Sequence, residues 1–289
     1  MTDLAVLGDL VEDVVVWLRG PLRAGTDNPA SVHRTRGGSA ANVAMFAAPL
    51  VSTRFIGRVG EDPLGCALVE RLRASGVDVR VQRGGRTGSI VVLVHPDGER
   101  TMLPDRGASA ELAPVPAGWL DGVRYLHVPG YAFAAEPAAS SAYGLIKSAS
   151  CAVTMDASST ALLDEYGPAR FRELVADVRP AVLFANAAEA RALRLGDHEP
   201  PAGTLFVIKN GAGPTTVRGA GTPPIRVPVP TRGRARDTTG AGDAFAAGYL
   251  ASAAGGADPR TAVEAGHRLA ARVLDAPGAS FASPSLEAT

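Results

Sequence analysis

The chain has 289 residues, 46% of them hydrophobic, enough to bury one large core and too apolar for a disordered polypeptide. Lys plus Arg and Asp plus Glu number 29 each, so no broad field of one sign attracts nucleic acid or an anionic membrane, and partners must be recognised locally. The opening Met1-Thr-Asp-Leu-Ala-Val-Leu-Gly-Asp9 has no basic region before its apolar stretch, and no uncharged apolar run reaches the ~18 residues of a spanning helix, so a cytoplasmic protein is expected.

Leu4-Ala-Val-Leu-Gly8 is the first of several short β-rich apolar runs that end in glycine or a polar residue, the pattern of strands covered on both faces. Thr53-Arg-Phe-Ile-Gly57, Arg124-Tyr-Leu-His-Val-Pro-Gly130, Ala152-Val-Thr-Met-Asp156, Ala181-Val-Leu-Phe-Ala-Asn186 and Leu205-Phe-Val-Ile-Lys209 repeat it. Helical patterns at 63–75, 170–178 and 187–195 lie between them, which predicts an α/β fold with a doubly wound, mostly parallel sheet flanked by helices. Ligands of such sheets sit beyond the carboxyl ends of the strands, where Asp156, Asn186 and Lys209 gather. Cys66 and Cys151 have no metal-ligand company and read as buried thiols.

Two stretches break this rhythm. Asp13-Val-Val-Val-Trp-Leu18 with Ser31-Val-His-Arg-Thr-Arg36, and Gly88-Ser-Ile-Val-Val-Leu-Val94 joined through Pro96-Asp-Gly98 to Arg100-Thr-Met-Leu103, have the look of antiparallel strands, the second pair closed by a hairpin turn. They predict a small antiparallel β lid, residues 11–36 and 77–105, inserted into a core of 1–10, 37–76 and 106–289. An apolar lid face left uncovered suits a homodimer made through the lid.

The chemistry concentrates in Asp237-Thr-Thr-Gly-Ala-Gly-Asp243, directly before the buried-helix pattern Ala244-Phe-Ala-Ala-Gly-Tyr-Leu250. Gly240, Ala241 and Gly242 leave backbone N–H groups bare at the positive end of a helix, where an anion can be received and charge developing during phosphoryl transfer can be stabilised. Asp243 stands in the same space. A carboxylate beside an anion hole repels phosphate but serves as a general base for a hydroxyl attacking phosphorus. The plain alternative is a capped helix with a favourable first-turn acid.

Asp237-Thr-Thr-Gly-Ala-Gly-Asp243 resembles the C-terminal signature of the ribokinase, or PfkB-type, family of sugar and nucleoside kinases, and the resemblance runs the length of the chain. It implies a ribokinase-like fold and an ATP- and Mg2+-dependent transfer to an alcohol, with Asp243 as the base and Gly240, Ala241 and Gly242 as the anion hole. Asp237 and Thr239 would lie near the nucleotide phosphates, Asp237 beside a monovalent cation such as K+. Arg36-Gly-Gly-Ser-Ala-Ala-Asn42 is similar to the family's N-terminal signature, which implies sugar binding by Gly37, Gly38 and Asn42. Bare backbone at the glycines and an amide offering donor and acceptor suit that role. Gly8-Asp-Leu-Val-Glu-Asp13 resembles the segment whose aspartate grips substrate hydroxyls, here Asp13.

Asn186-Ala-Ala-Glu189 matches the family's Asn-x-x-Glu element and implies magnesium held through water, although the same spacing also describes an N-cap with a helix-start glutamate. Lys209, one of only two lysines among the 29 basic residues, precedes Asn210-Gly-Ala-Gly213 and resembles the segment along the nucleotide phosphates, which includes Gly211. The chain departs from the pattern at Pro214 and at His267, where many relatives carry an asparagine beside the adenine; a stacking or donating histidine and a satisfied helix histidine both remain open. Arg36, Arg100 and Arg106 are either solvated loop arginines or contacts for an acidic acceptor. The expected function is a carbohydrate kinase for a ribose- or fructose-like sugar, with a nucleoside kinase or a non-catalytic sugar or nucleotide sensor as rivals. Its partners are small molecules, with no nucleic acid and no membrane.

Overall fold

The computed structural model describes residues 2–230, 238–274 and 279. In chain order these residues form β1 (Thr2–Leu7), β2 (Val11–Leu18), β3 (Ala30–Gly37), α1 (Ser39–Ala47), β4 (Thr53–Val59), α2 (Pro63–Ala74), β5 (Asp78–Arg83), β6 (Thr87–Val94), β7 (Arg100–Gly107) and β8 (Val123–Pro129). Then come α3 (Ala138–Ser148), β9 (Ala152–Asp156), α4 (Thr160–Tyr166), α5 (Pro168–Val178), β10 (Val182–Asn186), α6 (Ala187–Ala192), β11 (Leu205–Asn210), β12 (Gly213–Gly219), β13 (Ile225–Val227), α7 (Ala241–Ala254) and α8 (Pro259–Val273).

Nine strands make the main sheet in the order β13-β12-β11-β10-β9-β8-β1-β4-β5. The pairs from β5 to β11 are parallel, and β12 and β13 close one edge antiparallel. Side chains alternate across the sheet and feed two separate cores. Leu4, Val6, Val182, Phe184 and Val207 face a core with Phe46, Leu72, Phe245 and Leu250 from α1, α2 and α7. Ala5, Leu7, Leu183, Ala185 and Phe206 face another with Leu145, Leu163 and Phe171 from α3, α4 and α5. Burial on both faces is why these strands read as unbroken apolar runs rather than alternating ones.

Helix α7 is apolar on every side because it is covered on every side. It packs on the sheet and against α1 and α8. Gly248 and Gly266 let α7 and α8 close up: a Cβ on Gly248 would lie 2.7 Å from the Ala265 carbonyl oxygen, and one on Gly266 2.9 Å from the Phe245 ring. Phe184, fully buried on β10, meets Tyr249 and Phe245 edge-on, with centroids 5.1 and 6.2 Å away.

The second sheet has the order β3-β2-β6-β7. Its outer pairs are antiparallel, and its central pair, β2 with β6, runs parallel. Both central strands follow from strands that run the same way in the main sheet, β1 and β5, which flank β4, and therefore enter the second sheet in the same direction. One boundary differs from the sequence reading. Residues 78–83, expected in the lid, are β5, the parallel edge partner of β4 in the main sheet. The β4-α2-β5 crossover brings them there, and buried Val79 between exposed Asp78 and Arg80 is the pattern of a sheet edge. Strands β3 and β7 also run to Gly37 and Gly107, one and two residues past the expected limits. Cys66, read as buried, is exposed: the inward face of α2 is Gly65, Leu68, Val69 and Leu72. No helix among the described residues is long and apolar enough to cross a membrane.

Replacing Phe184 by Ala should cost about 3–5 kcal/mol of stability, because it empties the contact between β10 and α7. Urea unfolding of the purified variant measures this, and a loss under ~1 kcal/mol would show that the site's supporting helix does not depend on this packing.

Candidate active site

A single cleft of about 2520 Å³ runs between the second sheet and the carboxyl ends of β9, β10 and β11. Asp156 ends β9, Asn186 ends β10, and Lys209 stands opposite Asn186 on β11, so the parallel register delivers all three to one rim. The Lys209 ammonium donates to Asp156 Oδ2 at 3.0 Å. Burial works against its charge, but Asp156 and Glu189 beside it hold its pKa above the ordinary lysine value.

Asn186 and Glu189 form a reciprocal cap on α6. Asn186 Oδ1 accepts from the Ala188 and Glu189 amides, while Glu189 Oε2 accepts from the Asn186 amide at 2.7 Å and Oε1 from Asn186 Nδ2 at 2.5 Å. Glu189 is buried, and burial first and the Asp156 charge second push its carboxyl up to about 7, against the Asn186 amide and Lys209. The capping role expected of this pair is met.

At the opposite wall, Gly240 caps α7 in a left-handed conformation, φ 75°. The Ala241 amide reaches the Thr238 carbonyl at 3.3 Å, and the first helical bond is from Ala244 to Gly240. The amides of Gly242 and Asp243 precede that bond and belong to the open end of the helix, facing the cleft they line. Asp243 is half-buried there. Its Oδ1 accepts from Ser39 Oγ and its Oδ2 from Asn42 Nδ2, both at 2.7 Å. Burial pushes its carboxyl up to about 6, Ser39 and Asn42 pull it down, Asp156 adds to the rise and Lys209 opposes it.

Asn42 is committed at both ends. While Nδ2 donates to Asp243, Oδ1 accepts from Arg36 Nη1 at 2.6 Å, so the amide bridges two protein groups. Asp13 is buried on β2, and its Oδ1 has no hydrogen-bond partner among the described residues. Burial pushes it up to about 6; Arg36 lowers it, and Asp243 and Glu12 raise it. Gly38 caps α1 at φ 96°, where a Cβ would lie 2.2 Å from the Asp9 carbonyl oxygen, and lines the cleft. Gly37 does something else. It faces Asp13, and a Cβ there would overlap the carboxylate, so this glycine makes room for Asp13 rather than presenting backbone to a ligand.

Thr239 and Gly211 line the same cleft, Gly211 in a left-handed turn at φ 55° between β11 and β12. Pro214 enters where the β11–β12 ladder skips register, a position that needs no N–H. His267 is buried on α8; its Nε2 lies 2.9 Å from Thr215 Oγ1 and its ring 5.5 Å from Phe245, and its Nδ1 has no partner among the described residues. Asp237 lies outside the described residues. Arg36 and Arg106 are not solvated: Arg36 is buried, and Arg106 makes two 2.7 Å bonds to the Asp9 carboxylate.

Ser39 escaped the sequence reading although it sits within the quoted glycine motif. Its spacing of three from Asn42 on one face of α1 was the available signal. Tyr131, which lines the cleft and is raised in pKa by burial, carried no such signal.

The profile of the pfkB family of carbohydrate kinases matches residues 1–286. A fructokinase from Klebsiella pneumoniae is 32% identical over 280 residues, which cover 86% of this chain and 83% of that one. An ATP-dependent ribose-1-phosphate kinase from Halopiger xanaduensis is 33% identical over 242 residues, 78% of this chain and 77% of the relative. The crystal structure of an adenosine kinase from Sinorhizobium meliloti superposes with a TM-score of 0.84 over 96% of this chain and 95% of that one, at 23% identity, a likeness of fold.

Replacing Gly37 by Ala should displace the Asp13 carboxylate and lower kcat/KM by at least ~10-fold through a raised KM for the acceptor, since a shift of about 1 Å at such a contact can cost ~100-fold. Steady-state kinetics at fixed ATP reads it. A KM within twofold of the parent would show that Asp13 does not hold the acceptor.

Proposed function

The chain belongs to the pfkB family of carbohydrate kinases, and from that premise we propose that it transfers the γ-phosphoryl group of ATP to a hydroxyl of a small sugar, ribose- or fructose-like, with Asp243 as the base. The observation that carries the reading is the placement of Asp243 at the open end of α7, fixed by Ser39 and Asn42, in the same cleft as Asp13. Asp13, which lines the cleft beside Gly38, accepts hydrogen bonds from the acceptor's hydroxyls. The attacking hydroxyl gives its proton to Asp243, and the amides of Gly240 and Gly242 receive the charge that grows on the transferred group, while that of Ala241, expected to join them, is taken up by the Thr238 carbonyl. A carboxyl held near 6 is ionised at neutral pH and accepts a proton more readily than an ordinary aspartate.

The nucleotide lies along Lys209, Gly211 and Thr239 and reaches His267 with its base. Half-buried Asp156 and buried Glu189 at one rim favour a cation there. Because Asn186 engages both Glu189 oxygens, magnesium fits through its own waters and would screen the triphosphate from these carboxylates. Among the described residues no group of three or more His, Cys, Asp or Glu gathers as a metal cage. Asp237 is assigned to a monovalent cation on the family resemblance alone. ATP as donor sets the cytoplasm as the working compartment, and a homodimer would cover Val32 and Leu103 of the second sheet, which are more than half exposed.

A nucleoside acceptor is the second reading, favoured by the apolar side chains Val15, Trp17, Ile90 and Met102 that the second sheet turns towards the cleft. ADP release measured with fructose, ribose, ribose-1-phosphate and adenosine decides between them. Turnover on sugars supports the first reading, turnover confined to the nucleoside supports the second, and none on any acceptor supports a sensor and overturns both.

Asp243→Asn should reduce turnover by ~10²–10⁴. The same variant should melt a few degrees higher at pH 8. Burial raises this carboxyl above its unfolded value, so its ionisation opposes folding; the cost is absent below about pH 4 and complete above about pH 6. Retained turnover would remove the base from the mechanism. In the parent enzyme kcat/KM should fall below about pH 6, as Asp13 and Asp243 take up protons; a rate flat down to pH 5 would contradict both roles.

A further inference from the structure

Between Arg36 and Asp243 lies one carboxamide whose two ends are chemically opposite to its two neighbours. A guanidinium only donates hydrogen bonds, and an ionised carboxylate only accepts them. Asn42 meets the first with its oxygen, at 2.6 Å from Arg36 Nη1, and the second with its NH2, at 2.7 Å from Asp243 Oδ2. The flipped amide would set donor against donor and acceptor against acceptor. Among the described residues no other side chain bonds the far end of Asn42 to enforce the orientation. Arg36 is itself buried, and its other nitrogen reaches Met45 Sδ at 3.2 Å and the Ala279 carbonyl at 3.4 Å. Ala279 in turn packs where a side chain on Gly240 would stand, its Cβ 2.7 Å from that position.

We propose that Arg36 is a positioning residue for the base: by claiming the Asn42 oxygen it turns the amide's N–H onto Asp243, and through Ala279 it steadies the glycine that opens the anion hole. The catalytic consequence rests on the function proposed above; the structural one does not. Arg36 is the last residue but one of β3, opposite Glu12 on β2, so the strand pair that carries Asp13 also carries the residue that aims the base. Its charge acts in the same sense. The groups around Asp243 are Ser39 and Asn42 on α1, Arg36 on β3, Asp13 on β2, Asp156 on β9, Lys209 on β11 and Tyr131 after β8. Of these only Arg36 and Lys209 are cations, and Lys209 is bonded to Asp156.

The test is a carbon-13 NMR titration of aspartate carboxyls, with the Asp243 signal assigned by its loss in Asp243→Asn, alongside kcat and KM over pH 5–9. In Arg36→Met the Asp243 midpoint should rise by about one pH unit and kcat should fall at least ~10-fold, while the KM for ATP stays within ~3-fold. Arg36→Lys, which keeps a charged donor, should bring the midpoint back to within ~0.3 unit and recover most of kcat. Should Arg36→Met not fold, Arg36→Leu, which likewise has no donor, takes its place with the same expected rise in midpoint. A midpoint and kcat unchanged in the neutral variant overturn the proposal, as does Arg36→Lys being as impaired as the neutral variant with the parent's midpoint, the mark of packing alone. If Asp243→Asn keeps full turnover, the base assignment fails, and the titration still decides whether Arg36 governs that carboxylate.

Discussion

Carboxylates crowded along one cleft set the terms for the rest of the structure. Asp13 and Asp243 are pushed up to about 6 and Glu189 to about 7, each by burial first. Such a group is tolerable only where donors and cations surround its charge. Two cations serve this end: half-buried Lys209 beside Asp156 and Glu189, and buried Arg36 beside Asp13 and Asp243. Each is held by a fixed contact, Lys209 by Asp156 and Arg36 by Asn42. The site is therefore locally unfavourable to the fold, and the stability it gives up has to come from elsewhere.

It comes from the two cores on either side of the main sheet. The helix that bears Asp243 has no polar stripe to lose, since α1, α8 and the sheet cover it from all directions. Phe184 ties it to the strand that ends in Asn186, so both walls of the cleft share one packing unit. The parallel register then does the remaining positioning, because strands in step end at the same rim. Apolar packing, indifferent to chemistry, holds polar groups where their chemistry demands.

The alternation of apolar runs with helical patterns made the main sheet legible from the chain alone, down to Asp156, Asn186 and Lys209 at one rim. Local rules served equally well for the Asn186–Glu189 cap and the turn at Gly98, where three or four residues decide the geometry. What could not be read was pairing at a distance. Val79 and Val81 alternate with polar residues as they would in either sheet, and only the crossover through α2 assigns them. Gly37 reads as bare backbone for a ligand until the side chain of Asp13, twenty-four residues earlier, is set against it. Arg36 likewise looks like a surface arginine, because its partners Asn42 and Ala279 meet it only in the fold.

The second sheet is joined to the main body at one end only. Strands β2 and β6 begin there, at Val11 and Thr87, and β3 and β7 finish there, at Gly37 and Gly107, which are the cross-strand partners of those starts. Four chain crossings side by side define an axis, and any tilt of the sheet turns about it like a flap on a seam. Displacement then grows with distance from the seam: with ~3.3 Å per residue, a swing that carries Trp17 by ~3 Å moves Asp13 by only ~1 Å. Leverage thus separates the two ends of one strand: the same tilt that displaces the far tip leaves Asp13, near the pivot, almost still.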